Sequence, residues 1–100
     1  AIRHLVRKNM VEKKWKGDEE VAGAIVLVYD HHKRELQHNM THLQHDYQYL
    51  ILSVQHVHLD HDHCLETIAV KGKSSQLSDL ASKIIGLKGI HHGELVMTGT

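Results

Sequence analysis

The sequence contains no proline, no phenylalanine and a single cysteine in 100 residues. One cysteine excludes an internal disulfide, so Cys64 is a small buried hydrophobe, a reactive thiol or a metal ligand. No apolar run approaches the length that spans a bilayer, and nothing at the N-terminus reads as a secretion signal; a cytoplasmic location with no membrane contact is expected. Internal repeats and low-complexity tracts are absent. So are a nucleophile elbow, a phosphate-cradling glycine loop and a second convergent acid/base pair, and the chain is not expected to be an enzyme. The remaining composition, 41% hydrophobic and 24% charged, suits one soluble domain. A domain this small has limited surface to bury, which makes oligomerisation a natural source of extra stability.

What is abundant is histidine, with twelve residues. Formal net charge is zero, but residues 1–16 carry six Lys/Arg against one acid, and residues 17–100 carry six against eleven. A basic start can approach nucleic acid, although a solvated helix face explains such a run as well. The first residue is Ala1 rather than methionine, as in a fragment or processed product.

Residues 2–16 place Ile2, Leu5, Val6 and Met10 at helical spacings, with no N-cap signal before Ile2. Residues 17–20, GDEE, read as a linker. The β-branched run at 21–30 predicts a strand buried on both faces. Residues 31–46 predict a helix with Leu36, Met40 and Leu43 on its apolar stripe, and His38, His42 and His45 on a shared face. A strand follows to Asp60, with Leu50, Leu52, Val54, His56 and His58 on one side, then a turn and a second strand at 64–72. Residues 74–89 predict a helix capped by Ser74 or Ser75 and stopped by Gly89, and residues 90–98 a closing strand. The order after the linker is βαββαβ, the pattern of an α+β, ferredoxin-like antiparallel sheet with both helices on one face and an additional helix in front. The opposite face then needs a cover, for which a second subunit is the economical candidate.

The segment HVHLDHDHC, residues 56–64, packs four histidines, two aspartates and the cysteine into nine positions. His56 and His58, two apart, project from one side of a strand, and Cys64 opens the neighbouring strand, so the three can converge. Imidazole and thiolate suit nickel, copper, zinc and iron, and suit magnesium and calcium poorly. His61, His63, His91 and His92 fall in predicted turns, with Asp60 and Asp62, where exposed polar residues are ordinary. Glu66 shares the face of Cys64 and could accept a hydrogen bond from a ligating imidazole. His38, His42 and His45 form the pool for a fourth donor.

Counted backward from Cys64, the intervals are five residues to His58, one to His56, ten to His45 and thirteen to His31. This spacing resembles the signature of the nickel-responsive repressor family NikR. The flanks agree: AIRHLVRK resembles the second helix of that family's ribbon-helix-helix DNA-binding arm, VYDHHKRE and LQHDY its first strand and helix, HVHLDHDHCLE its ligand hairpin, and KGIHHGELVMT its last strand. The resemblance implies two parts. Residues 1–20 would be the end of the DNA-binding arm plus linker, and residues 21–100 an ACT-like, nickel-binding, tetramerising domain. Ni(II) would be held by His56, His58 and Cys64 of one subunit with His45 of another, in a nitrogen-rich square plane with one sulfur. His31 belongs to the motif, but the resemblance does not put it in that plane.

The family's assembly is a homotetramer, a dimer of dimers, in which nickel favours operator binding and repression of nickel-uptake genes. The strand that would read bases is missing from this sequence, so the chain as given is not expected to recognise an operator. His4 stands where the family's pattern has an aspartate for a secondary interdomain cation site, which puts that site in doubt.

Other readings are a nickel or zinc buffer or metallochaperone, a metal-dependent hydrolase with an open coordination position, and a small-molecule-binding domain without metal. The last leaves the histidine spacing unexplained. Ligation by histidine and cysteine carries its own check, because these groups must lose protons to bind. Ni(II) affinity is expected to rise from mildly acid to neutral pH in a titration, and a flat profile would contradict this ligand chemistry.

Overall fold

The computed structural model describes residues 18–98. The helix predicted at 2–16 lies outside them. Within them the order is β1 (Glu20–Asp30), α1 (Arg34–Asp46), a single 3-10 turn (Gln48–Leu50), β2 (Ile51–His58), β3 (His63–Lys73), α2 (Ser74–Ile85) and β4 (Ile90–Thr98). The strands form one antiparallel sheet in the order β2, β3, β1, β4. This is the α+β, ferredoxin-like, ACT-like arrangement that the βαββαβ pattern predicts.

Side-chain alternation decides which face the helices cover. Val21, Ile25, Leu27 and Tyr29 of β1, with Cys64, Ile68 and Val70 of β3, form one core with Leu36 and Met40 of α1 and Leu77, Leu80, Ala81 and Ile84 of α2. The apolar stripes expected of both helices face this core, with Leu43 and Ile85 only partly buried against it. The other sheet face carries Ala22, Ala24, Val26 and Val28 of β1, Leu65 and Ala69 of β3 and Val96 of β4, all only partly buried. β1 was expected to be buried on both faces. In a single chain the helices cover one face, and the other remains an apolar surface without a cover among the described residues.

Several boundaries differ from the sequence expectation. α1 starts at Arg34 rather than at residue 31, because the Asp30 carboxylate accepts the His32 backbone N–H at 2.9 Å and the Asp30 carbonyl accepts that of Lys33 at 3.2 Å. His31 and His32 are thus turn residues. Residues 47–50 leave the predicted strand; Tyr47 donates its hydroxyl to Asp79 of α2 at 2.8 Å. Ser74 and Ser75 are the first two residues of α2, not caps outside it, and Asp18 supplies the acceptor, 3.0 Å from the Ser75 N–H and 3.3 Å from the Ser74 hydroxyl. These bonds to the ionised form hold Asp18 below the usual carboxylate range. α2 ends at Ile85, and Gly89 instead turns the chain into β4 at φ +105°, with Leu36 packed against it.

At Gly23 a β-carbon would lie 2.5 Å from the Val96 carbonyl oxygen, so the central strand could not keep its pairing with β4. Gly23→Ala is expected to cost about 1–3 kcal/mol, typical of overpacking a tight site. Urea denaturation of the two chains checks this.

Candidate metal centre

β2 and β3 pair with His58 opposite Cys64 and His56 opposite Glu66. Residues directly opposite in an antiparallel ladder share a face. Both imidazoles therefore rise on the helix-covered side, and both are exposed. The His58 Nδ1 lies 3.8 Å from the Cys64 Sγ, and the two imidazole rings are 5.3 Å apart. His56 also stacks on Tyr29 at 6.2 Å.

Cys64 is fully buried. Burial, with the negative charges of Glu66, Asp30 and Asp60 behind it, pushes the thiol above its ordinary value. The metal-free thiol is thus protonated at neutral pH, and a metal must displace that proton to take the sulfur.

Glu66 has two readings in the sequence, an acceptor for a ligating imidazole and a solvated strand carboxylate. It is buried at the same face, but its hydrogen bonds come from the Tyr29 hydroxyl at 2.8 Å and the Gln44 side-chain amide at 2.7 Å. Burial and the adjacent carboxylate push the Tyr29 phenol well above its normal range, so it stays a donor. Gln44, turned inward, fixes the last turn of α1 and leaves His45 next to it on the exposed side. A cavity of about 170 Å³ opens here, lined by Gln44, Glu66, Tyr29 and His56 among others.

Among the described residues, two groups of three donors lie within 4.8 Å of one another: His31 with His58 and Cys64, and His32 with His61 and Asp62. Neither includes His45 or His56. His31 enters the first group because the turn after β1 docks on the hairpin turn. Its backbone N–H donates to the Asp62 carbonyl at 3.2 Å, its Nε2 is 2.7 Å from the His61 carbonyl, and its ring meets that of His58 edge-on at 4.9 Å. Spacing along the chain could not show that docking, although His31 was already part of the motif. His38 and His42 stand exposed on α1, with His42 3.5 Å from Asp46.

Residues 22–98 match the family described as the NikR C terminal nickel binding domain. The chain belongs to that family. It is 48% identical over 99 residues to a protein of Syntrophus aciditrophicus, and 49% identical over 100 residues to one of Desulfotalea psychrophila, both named as nickel-responsive regulators. The matches cover 99% and 100% of this chain and 72% and 74% of those proteins. The fold is shared more widely. An uncharacterized protein from Thermotoga maritima superposes with a TM-score of 0.71 at 14% identity, over 79% of this chain and 98% of the other. The C-terminal domain of the MgtC protein from Mycobacterium tuberculosis does so with 0.59 at 6% identity, over 78% and 87%.

Nickel binding and a nickel-dependent regulatory role thus belong to this NikR-family chain, and the donors at the hairpin fit the ion: imidazole nitrogen and thiolate sulfur are ligands that Ni(II) accepts readily. No helix among the described residues is long and apolar enough to cross a membrane.

The protonation state of Cys64 is directly measurable. Alkylation of the metal-free chain by iodoacetamide should be slower at neutral pH than in urea, and should accelerate as pH rises past the ordinary cysteine value of about 8.5. Equal folded and unfolded rates at neutral pH would mean the thiol is neither buried nor raised.

Proposed function

We propose that this chain is the metal-sensing part of a nickel-responsive transcriptional repressor, with Ni(II) held by His56, His58 and Cys64 of one subunit and His45 of another. The observation that carries this reading is the register of β2 against β3, which lines up two imidazoles beside a buried thiol. His45 supports the shared site: it is exposed on α1 and absent from the donor group formed within one chain. The uncovered apolar sheet face supports self-association, here a homotetramer built as a dimer of dimers.

In this reading nickel supplies a bond between subunits. A ligand shifts a conformational equilibrium only through a difference in affinity between states, and a site completed by two chains provides that difference. The favoured assembly would place two DNA-binding dimers, each built from residues 1–20 of two chains with the segment before them, on operator DNA and repress genes for nickel uptake. The chain itself supplies the fixed hairpin, the buried sulfur and the Tyr29–Glu66–Gln44 bonds that hold α1 and with it His45. The setting is cytoplasmic and no catalysis is involved.

A second reading draws on the convergence of His31, His58 and Cys64 inside one chain, which would let a single subunit hold an ion as a nickel or zinc buffer or metallochaperone. Ni(II) titration followed by absorbance and sedimentation separates the two. In the sensor, Cys64→Ala abolishes the thiolate-to-nickel band. His45→Ala weakens the site and the tetramer, and mixing the His45→Ala and Cys64→Ala chains restores part of the band. A band lost in His31→Ala but intact in His45→Ala, with no change in assembly, would favour the buffer.

A further inference from the structure

The end of α1 that carries His45 is tied to α2 by one side chain. Tyr47 follows α1 directly, and its backbone N–H donates to the Leu43 carbonyl at 3.0 Å, closing the last turn just beyond His45. Its hydroxyl donates to Asp79 of α2 at 2.8 Å and accepts from the Lys83 ammonium at 2.5 Å. That ammonium also lies 3.4 Å from Asp79 and 5.1 Å from the centre of the Tyr47 ring. The bonds to Tyr47 are the largest reason that Asp79 sits below the usual carboxylate range and Lys83 above the ordinary lysine value.

The other end of α2 is tied to the place where the preceding segment enters the domain. Ser75, Asp79 and Lys83 recur every four residues, so they run along one side of the helix. Asp18 accepts the Ser75 N–H and the Ser74 hydroxyl, and the Ser74 N–H donates to the Glu19 carbonyl at 3.3 Å. Asp18 stands at φ +50°, a left-handed conformation uncommon for a residue with a β-carbon, so the chain bends there to meet the helix end. Glu20 then pairs with Lys73 as β1 begins. Between its two ties, about 12 Å apart at 1.5 Å per residue, α2 is held against the sheet by Leu77, Leu80 and Ile84, all fully buried.

We infer that α2 is a rigid link that joins the His45 end of α1, through Tyr47, to the entry of the preceding segment, through Asp18. The inference rests on the sensor reading and adds to it the way in which metal occupancy reaches the arm. An element couples two sites only when both bias one equilibrium. Here that equilibrium is the seating of the Tyr47 turn on α2. The Asp79 and Lys83 side chains are 55% and 51% exposed, so the seating opens and closes against water in the metal-free chain. An ion that holds His45 removes freedom from the last turn of α1, favours the closed arrangement, and so steadies α2 where Asp18 meets it.

Amide hydrogen exchange of the full chain reads this directly at Ser75, whose N–H is the one that Asp18 accepts. The rate is measured with and without saturating Ni(II), with the thiolate-to-nickel band followed by absorbance. Nickel is expected to slow Ser75 exchange about fivefold or more, the low end of ordinary coupling between sites. Asp18→Ala should exchange faster in both states, with the nickel effect gone. Tyr47→Phe, which keeps the ring and removes the hydroxyl, should retain the thiolate band but lose most of the slowing. The comparison in the unaltered chain needs no variant, so a misfolded substitution does not blunt it. An intact band with Ser75 exchange unchanged by nickel, or the same slowing in Tyr47→Phe as in the unaltered chain, would overturn the link and leave the sensor reading standing. Absence of the band in the unaltered chain would overturn the sensor reading, and the link with it.

Discussion

The ladder between β2 and β3 is the constraint on which the rest depends. Strand side chains repeat every two residues, so a slip of one position would send His56 and His58 to the uncovered face while Cys64 stayed beneath the helices. Ile68 and Val70, on the same side of β3 as Cys64, are fully buried against the helices, and Leu50 is buried just before β2 begins. Core packing therefore fixes β3, and β3 fixes where the histidines stand. An irregularity between Ile51 and Ser53 lets the chain leave the 3-10 turn and still enter the ladder with His58 against Cys64.

The electrostatics around Cys64 oppose a bare thiolate and favour a divalent cation for the same reason. Burial and three nearby carboxylates penalise a negative sulfur. Those carboxylates attract any cation that replaces the proton, and a divalent ion gains more from them than a proton does. Proton and metal thus compete for one sulfur in a field that rewards the larger charge, and binding is coupled to pH through the thiol itself. Two of these acids, Asp30 and Asp60, also accept backbone N–H groups of the two turns, which keeps their charge.

The sequence made the sheet, both helices and the pairing of His58 with Cys64 legible, because these follow from periods of 2 and 3.6 and from one short hairpin; His56 shares their face, but the donor group within the chain takes His31 in its place. The sequence did not show features set by contacts between distant segments. Asp18 caps α2 across more than fifty residues, and Tyr29 and Gln44 reach Glu66 from two other elements. Asp30 delays α1 by three residues and so turns His31 and His32 toward the hairpin. His61 and Asp62 read as ordinary turn residues and His32 as part of the helix at 31–46, and only the docking of two turns brings them together. Gly89 read as a helix stop because glycine marks both ends of a connection; here it begins the return into β4.

Two histidines of one motif, His31 and His45, occupy opposite circumstances, and the difference bears on how metal occupancy could become a signal. His31 reaches His58 and Cys64 within the chain, so an ion held that way gains nothing from a second subunit. His45 stands exposed at the end of a helix anchored through Gln44 and Glu66, and an ion held with its help gains from assembly. The hairpin donors can serve either completion. If the sensing reading holds, coupling of nickel to assembly equals the preference of the ion for the His45 completion over the His31 one, because linkage counts only the difference between states. His31 would then act as a competitor for the hairpin that lowers the coupling, and its removal would tighten the link between nickel and the tetramer.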